Sequence, residues 1–375
     1  MMEVIIRIGA FFLQVIYSLC KLFPVKKKVV FLSRQHDSSN SDFDLLIKQL
    51  KEDDPEIECV VLAKMIHGNI LSKLSYVFHI FVQLYHLATS QVAILDTYCI
   101  PVSLLHHRDS LTVIQIWHAV GAFKKFGYSI LGKEEGSSER VAKAMRMHDH
   151  YDYVCTSSET ALPSFAEAFH TDESHMIIYP LPHLDQLKDP AYKEKRVEEI
   201  YKEYPSLNGS KKIILYAPTF RKDATDMNQI VTAMCEQIDF QNYELIVKLH
   251  PLTMQAIDQS TCIIDRKFTT ADMLFVSDYV ITDYSAIVFE AAFLNKPLYF
   301  YTFDYDTYLD KRDFYLDYEK EMPGLISSEF STIMNCIEQK EANISMIRRF
   351  STKYITAPKE SFTKDLACFI EKHIR

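Results

Sequence analysis

The sequence predicts an α/β protein built from two doubly wound domains. Three observations predict it. Apolar runs that read as buried parallel strands alternate with amphipathic helical segments from residue 29 to residue 301. The alternation breaks once, at the proline-rich stretch 180–190 and a highly charged helix after it, and restarts at residue 213. The chain of 375 residues is long enough for two domains of ordinary size. Strand–helix–strand units of this kind require right-handed crossovers.

Composition narrows the class. Hydrophobic residues make up 48% and aromatic residues 13%, which fits a globular protein with a large core. A net charge of −9 excludes a general nucleic-acid binder. The charge is uneven: residues 1–28 hold Arg7, Lys21, Lys26, Lys27 and Lys28 against Glu3, a net +4, so the remainder sums to −13. A basic end on an acidic body predicts contact with a membrane surface at that end. The eight cysteines form no C-x-x-C pair and read as free thiols of a reducing compartment. Only eight glycines occur, and neither a dinucleotide fingerprint nor a P-loop is present.

Taken in order, residues 1–24 predict an amphipathic helix. Glu3, Arg7, Gln14, Ser18 and Lys21 fall within roughly one 60° stripe of a helical wheel, and the rest is apolar. That pattern predicts a helix lying in the bilayer interface, ended by Pro24, with Lys26 to Lys28 toward anionic headgroups. A helix packed on the protein's own core and a single span are the alternatives. A first domain follows over 25–185, with strands at 29–33, 58–63, 91–95, 111–116, 153–156 and 176–179. Its helices are expected at 43–50, at 69–88 with an aromatic face, at 139–147, and from an N-cap at Ser157 or Ser158. The second domain, 186–375, has strands at 213–216, 245–249, 262–264, 280–282 and 298–301, the last closing the sheet. Its helices are expected at 192–204, 228–237, 272–276 and 286–294, and the segment 303–318 reads as a loop. A terminal helix near 361–373 packs back on the first domain.

Candidate chemistry sits just past strand ends, where open α/β sheets bind their ligands. His118 and His250 each follow an apolar run. An imidazole titrates near neutral pH, so His118 is the natural general base; a structural histidine is the plain alternative for either residue. Lys124 and Lys125 lie close behind His118 and suit an anionic acceptor, or else form a solvated charged face. Arg221 offers a bidentate phosphate donor, or a surface ion pair. Thr282, Asp283 and Ser285 open a helix whose free N–H groups suit a pyrophosphate; Ser285 also reads as a plain N-cap. Glu290, farther along that helix, would accept from ribose hydroxyls. His148-Asp149-His150 has no second ligand cluster, so no metal site is assigned.

Four motifs occur in one order: Trp117-His118-Ala119-Val120-Gly121 with Lys124, Lys125 and Gly127; Ala217-Pro218-Thr219-Phe220-Arg221; Lys248-Leu249-His250-Pro251; and Thr282-Asp283-Tyr284-Ser285. Together they resemble the CDP-glycerol glycerophosphotransferases of teichoic acid synthesis. The family often has Trp-His-Gly-Thr and Asp-Tyr-Ser-Ser where this chain has Trp-His-Ala-Val and Asp-Tyr-Ser-Ala. The resemblance implies a GT-B-like fold, with two Rossmann-like domains facing a cleft, an acceptor domain first and a CDP-binding donor domain second. It implies catalysis by His118 and His250, donor or phosphate binding by Thr219, Arg221, Thr282, Asp283, Ser285 and Glu290, and acceptor binding by Trp117, Lys124 and Lys125. The implied partners are CDP-glycerol, or CDP-ribitol as the alternative, an undecaprenyl-diphosphate-linked saccharide, and the cytoplasmic face of the membrane. With histidine and arginine donors in hand, a divalent metal is compatible but not required. A primase-like enzyme releasing CMP is the leading expectation. A chain-extending polymerase and a sugar-nucleotide glycosyltransferase of the same architecture are the rivals.

Overall fold

The protein is described by a computed structural model that covers residues 2–66, 68–133, 136–221, 227–249, 253, 257, 261–311 and 313–375. Two compact units emerge. Unit 1 holds residues 1–120, 125–185 and 356–375, and unit 2 holds 121–124 and 186–355.

Unit 1 is a six-stranded parallel sheet of β1 (Lys28–Ser33), β2 (Glu58–Ala63), β3 (Val92–Leu95), β4 (Thr112–Gln115), β5 (Tyr153–Thr156) and β6 (Met176–Ile178), in the order β2-β1-β3-β4-β5-β6. The strands form because Val, Ile and Leu fill them; β1 and β3 are buried along their whole length, as strands covered on both faces must be. This is the flavodoxin-like strand order, and its switch point lies between β1 and β3. The covering helices include α1 (Met2–Cys20), α2 (Ser41–Asp53), α3 (Ile70–Thr89), α4 (Ile100–Leu104), α5 (Glu139–Ala144) and α6 (Leu162–Phe169). The C-terminal helix Phe362–Glu371 packs on α2, and the N–H groups of Phe362 and Thr363 donate to the carboxylate of Asp185.

Unit 2 is a second six-stranded parallel sheet: β7 (Lys212–Ala217), β8 (Tyr243–Val247), β9 (Ile263–Ile264), β10 (Tyr279–Thr282), β11 (Leu298–Tyr301) and β12 (Leu325–Ser327), ordered β12-β11-β10-β7-β8-β9. This is the Rossmann order, with its switch point between β7 and β10. The strand expected to close the sheet, β11, is not the edge: the three-residue β12 pairs outside it. The segment expected as a loop contains a helix, Tyr305–Lys311. Ser158 caps a turn through Ala161 N–H, so α6 starts at Leu162, later than expected.

Only one edge of the polar stripe of α1, Glu3, Gln14 and Lys21, is partly covered by unit 1; Arg7 and Ser18 are exposed. Tyr17 is fully buried and its hydroxyl donates to His107 Nδ1 at 2.8 Å, while Gln14 Oε1 accepts from His106 N–H at 2.9 Å. The opposite face is bare: Phe11 is 66% and Phe12 62% exposed. The basic run is placed differently from the expectation. Lys28 opens β1, is fully buried and donates to Thr89 Oγ1; Lys27 pairs with Asp54, and Lys26 with Glu58. Lys28 is thus inside the protein, while Lys26 and Lys27 stay at the surface, each paired with an acid of the same chain.

Candidate active site

In unit 1 the ends of β1, β3 and β4 meet around His118. Gln115, the last residue of β4, is buried; its amide donates to Thr97 O at 3.1 Å and its Oε1 accepts from Trp117 N–H at 2.9 Å. Trp117 takes φ +61°, a left-handed conformation rare for a bulky residue and costing about 1–3 kcal/mol. The turn swings His118 back over β3, where Nδ1 lies 2.8 Å from the Asp96 carbonyl. A carbonyl only accepts, so Nδ1 carries the proton and Nε2 is left with its lone pair. The Gln35 amide nitrogen lies 3.2 Å from Nε2 and 3.4 Å from Nδ1; with Nδ1 protonated, Nε2 is the nitrogen that accepts from it. Desolvation by the surrounding protein lowers the His118 pKa to about 4, opposed by the Asp96 hydrogen bond. The ring nonetheless keeps an exposed edge, and hydration there works against the shift. Either way the imidazole is neutral at pH 7. Trp117 packs across it with ring centroids 4.1 Å apart, and Phe126 stacks on Trp117 at 4.9 Å.

Behind His118 lies a carboxyl that sequence reading missed. Asp96 is 1% exposed. Its Oδ2 accepts from Asn40 Nδ2 at 2.8 Å, and burial pushes its pKa up to about 6. Asn40 also caps α2, accepting from Phe43 N–H. Gln35 with Asn40, Asp96 and Gln115 come from three segments far apart in the sequence, and only the strand order joins them. A polar residue just past an apolar strand, directly after β3 for Asp96 and two residues after β1 for Gln35, was the one signal available. Lys125 is half-buried in unit 1. His148 is buried and bonds the Tyr151 hydroxyl, and His150 Nδ1 meets Val102 O, so each has a protein partner.

In unit 2 the switch point joins two of the motifs. Arg221 comes from the segment after β7; Asp283 and Tyr284 come from the segment after β10. Arg221, its side chain 4% exposed, lies 2.8 Å from Asp283 Oδ2 and forks onto Asp304 at 2.7 and 3.0 Å. Its Nη1 also donates to Thr219 O at 2.9 Å. The guanidinium fork is therefore engaged within the protein and not presented as the phosphate donor expected from the sequence. Asp283 is fully buried, and its Oδ1 accepts from Thr219 N–H and Tyr284 N–H. Thr282 is buried as well, its hydroxyl donating to Ala217 O. Both act as scaffold for the turn.

The helix after this turn runs Ile287–Phe293 with Ala286 as its N-cap, so Ser285 precedes the cap instead of forming it. Ser285 and Glu290 are half-buried. Lys124 belongs to unit 2: its Nζ donates to Thr219 Oγ1 at 3.2 Å and lies 5.2 Å from the Tyr308 ring centre. It thus sits with the residues assigned to the donor rather than with Trp117. His250 lies outside the described residues. The strand that leads to it, β8, ends at Val247, and the next residue, Lys248, pairs with buried Asp265 at 2.7 Å.

Comparison with known proteins gives a consistent answer. The chain is 34% identical to a teichoic acid ribitol-phosphate primase of Bacillus spizizenii over 95% of this chain and 94% of that protein. It is 33% identical to a teichoic acid glycerol-phosphate primase of Bacillus subtilis, over 79% of this chain and 77% of that one. The fold matches a solved structure of the wall teichoic acid polymerase TagF with a TM-score of 0.76 at 19% identity, covering 99% of this chain and 97% of the other. The GT-B-like reading is thereby supported at the level of fold. A family model for CDP-glycerol:poly(glycerophosphate) glycerophosphotransferases matches residues 15–359, and the chain belongs to that family.

Proposed function

We propose that this chain is a transferase of teichoic acid synthesis. It moves an alditol phosphate from a CDP-alditol to a hydroxyl of a polyprenyl-diphosphate-linked saccharide and releases CMP. The observation that carries the reading is the His118 imidazole: neutral, oriented through Nδ1, with Nε2 as its acceptor nitrogen, met by the Gln35 amide that an incoming hydroxyl would replace. In the proposed step the acceptor oxygen bonds to the phosphorus that carries the alditol. Its proton passes to Nε2, and the bond from that phosphorus to the bridging oxygen of CMP breaks. His250 is the second catalytic residue in this reading, stabilising charge on the transferred phosphate or the leaving group. Unit 1 takes the acceptor and unit 2 the donor.

The sequence expectation was CDP-glycerol. The near full-length match to a ribitol-phosphate primase favours CDP-ribitol, and we place ribitol first; the glycerol-phosphate primase keeps glycerol as the second reading. Both relatives are primases, which supports addition of one or a few units. The proposed location is the cytoplasmic face of the membrane, held peripherally by the apolar faces of α1 and α3. Phe11 and Phe12 on α1, and Leu71 and Phe78 on α3, are exposed, and the two helices pack side by side.

The test is CMP release from CDP-ribitol and from CDP-glycerol, each with a lipid-linked disaccharide. Release with neither donor would remove the proposal. Release with glycerol alone would reverse the order of the two readings.

A further inference from the structure

We infer that a basic cavity beside α1 holds the diphosphate of the lipid-linked acceptor. The inference rests on the proposed function for the nature of the acceptor, and on the cavity itself for the location. The cavity, of about 670 Å³, lies wholly within unit 1 between α1, the turn after α4, and α5. That is ample for a phosphorylated headgroup. Its lining carries Arg7, Arg140, Lys143 and Arg146 against one acid, Glu3. Glu3 is already committed, 2.9 Å from Arg7 and 4.0 Å from Arg140. Among the described residues, no carboxylate pairs with Lys143 or Arg146. All four bases are exposed, and with Glu3 they leave a surplus of three positive charges at one place on a chain of net −9, a local field that attracts an anion. A diphosphate supplies two or more negative charges, and a phosphodiester headgroup only one.

Two features connect the cavity to the acceptor's route. Phe11 lines it and also belongs to the exposed apolar face of α1, so a ligand with a phosphate head and a hydrocarbon tail fits both surfaces at once. On the other side, Tyr98, two residues after Asp96, donates to the carbonyl of Met145, which lies in the chain between the lining residues Ala144 and Arg146. Two residues past Arg146, the His148 ring lies edge-on to Trp117, which covers His118. The saccharide would extend along this wall toward the base.

The test is flotation of the whole chain with phosphatidylcholine vesicles doped either with a polyprenyl diphosphate or with phosphatidylglycerol at matched total charge. The parent protein binds the diphosphate vesicles about tenfold more tightly, on the scale of one to two charge contacts. Lys143→Gln with Arg146→Gln abolishes that preference, and Glu3→Gln, which frees Arg7 and Arg140, increases it. Inorganic pyrophosphate competes only for the diphosphate vesicles. Equal binding of both vesicle types by the parent would overturn the site in favour of a general anionic surface. A preference that survives the double substitution would overturn it outright. Vesicle binding is read without donor or turnover, so its outcome is separable from a failure of the transferase reading, which CMP release reports.

Discussion

Replacing Arg221 with Met tests whether this guanidinium is scaffold or ligand contact. The stem is kept and the charge is lost. In the parent, Arg221 neutralises Asp283, which is fully buried, and holds Asp304 with a two-pronged fork. Breaking a buried pair by removing one partner costs about 3–5 kcal/mol, because the remaining charge stays in a poorly solvated site. Asp283 keeps two backbone N–H donors at Oδ1, and Asp304 is partly exposed, so the low end applies: about 3 kcal/mol. The assay is urea unfolding, with hydrogen exchange of the β7 and β10 amides to confine the loss to unit 2. Adding Asp283→Asn removes the orphaned charge and should restore part of the loss, a coupling that a double-mutant cycle measures. The reasoning fails if Arg221→Met stays within about 0.5 kcal/mol of the parent while CDP binding is lost. That result would return Arg221 to the role of phosphate donor.

Other outcomes follow from the same geometry. His118→Ala should lower kcat by a factor of about 10² or more with the fold intact; a near-parental rate would remove His118 as the base. With a pKa lowered to about 4 and opposed by its exposed edge, the acid limb of kcat/KM should fall between about 4 and 6; a limb at or above 6.5 would contradict the assigned tautomer and environment. For stability, His118 has a depressed folded pKa, so its contribution is present above about 6.5 and lost as pH falls toward 4. Asp96 has the opposite sign: its raised pKa gives stability that is present below about 4 and lost as pH rises through 6. Asp96→Asn should therefore gain on the parent by about 2–3 kcal/mol between pH 4 and pH 7; urea unfolding at the two pH values checks it, and no change would mean the carboxyl is not held protonated. Phe11→Glu with Phe12→Glu should release the protein from anionic liposomes without changing its melting temperature; continued flotation would shift the anchor to α3 alone.

The strands were legible because their burial is written in short, largely apolar runs. Glu58–Ala63, Tyr153–Thr156 and Leu298–Tyr301 agree with the reading to the residue. What escaped depends on tertiary context. The helix Tyr305–Lys311 has no clear apolar period; Tyr308 stacks on Tyr284 at 3.9 Å, a contact no local pattern announces. β12 is too short, at three residues, to show an alternation. The basic run 26–28 reads as an exposed patch, yet strand pairing carries Lys28 inside, where Thr89 receives its ammonium. The motif residues were found, but not their division of labour. Sequence cannot distinguish an arginine that meets a ligand from one that holds two carboxylates together.

That division changes the charge balance at the β7–β10 end. Arg221 supplies one positive charge against the two carboxylates of Asp283 and Asp304, leaving a net negative site. A CDP-alditol pyrophosphate brought there would meet repulsion rather than a cradle. Lys124 supplies a second positive charge nearby, through Thr219, and returns the local sum to zero. If unit 2 takes the donor, as proposed, Lys124 would serve that site by offsetting the carboxylates that a phosphate would otherwise meet. The motif order acquires a physical reason on this account. The segment just past His118 contributes a cation to unit 2, while His118 itself is held in unit 1 by the carbonyl of Asp96. One short stretch, 117–124, thus supplies the proposed base in unit 1 and a cation in unit 2.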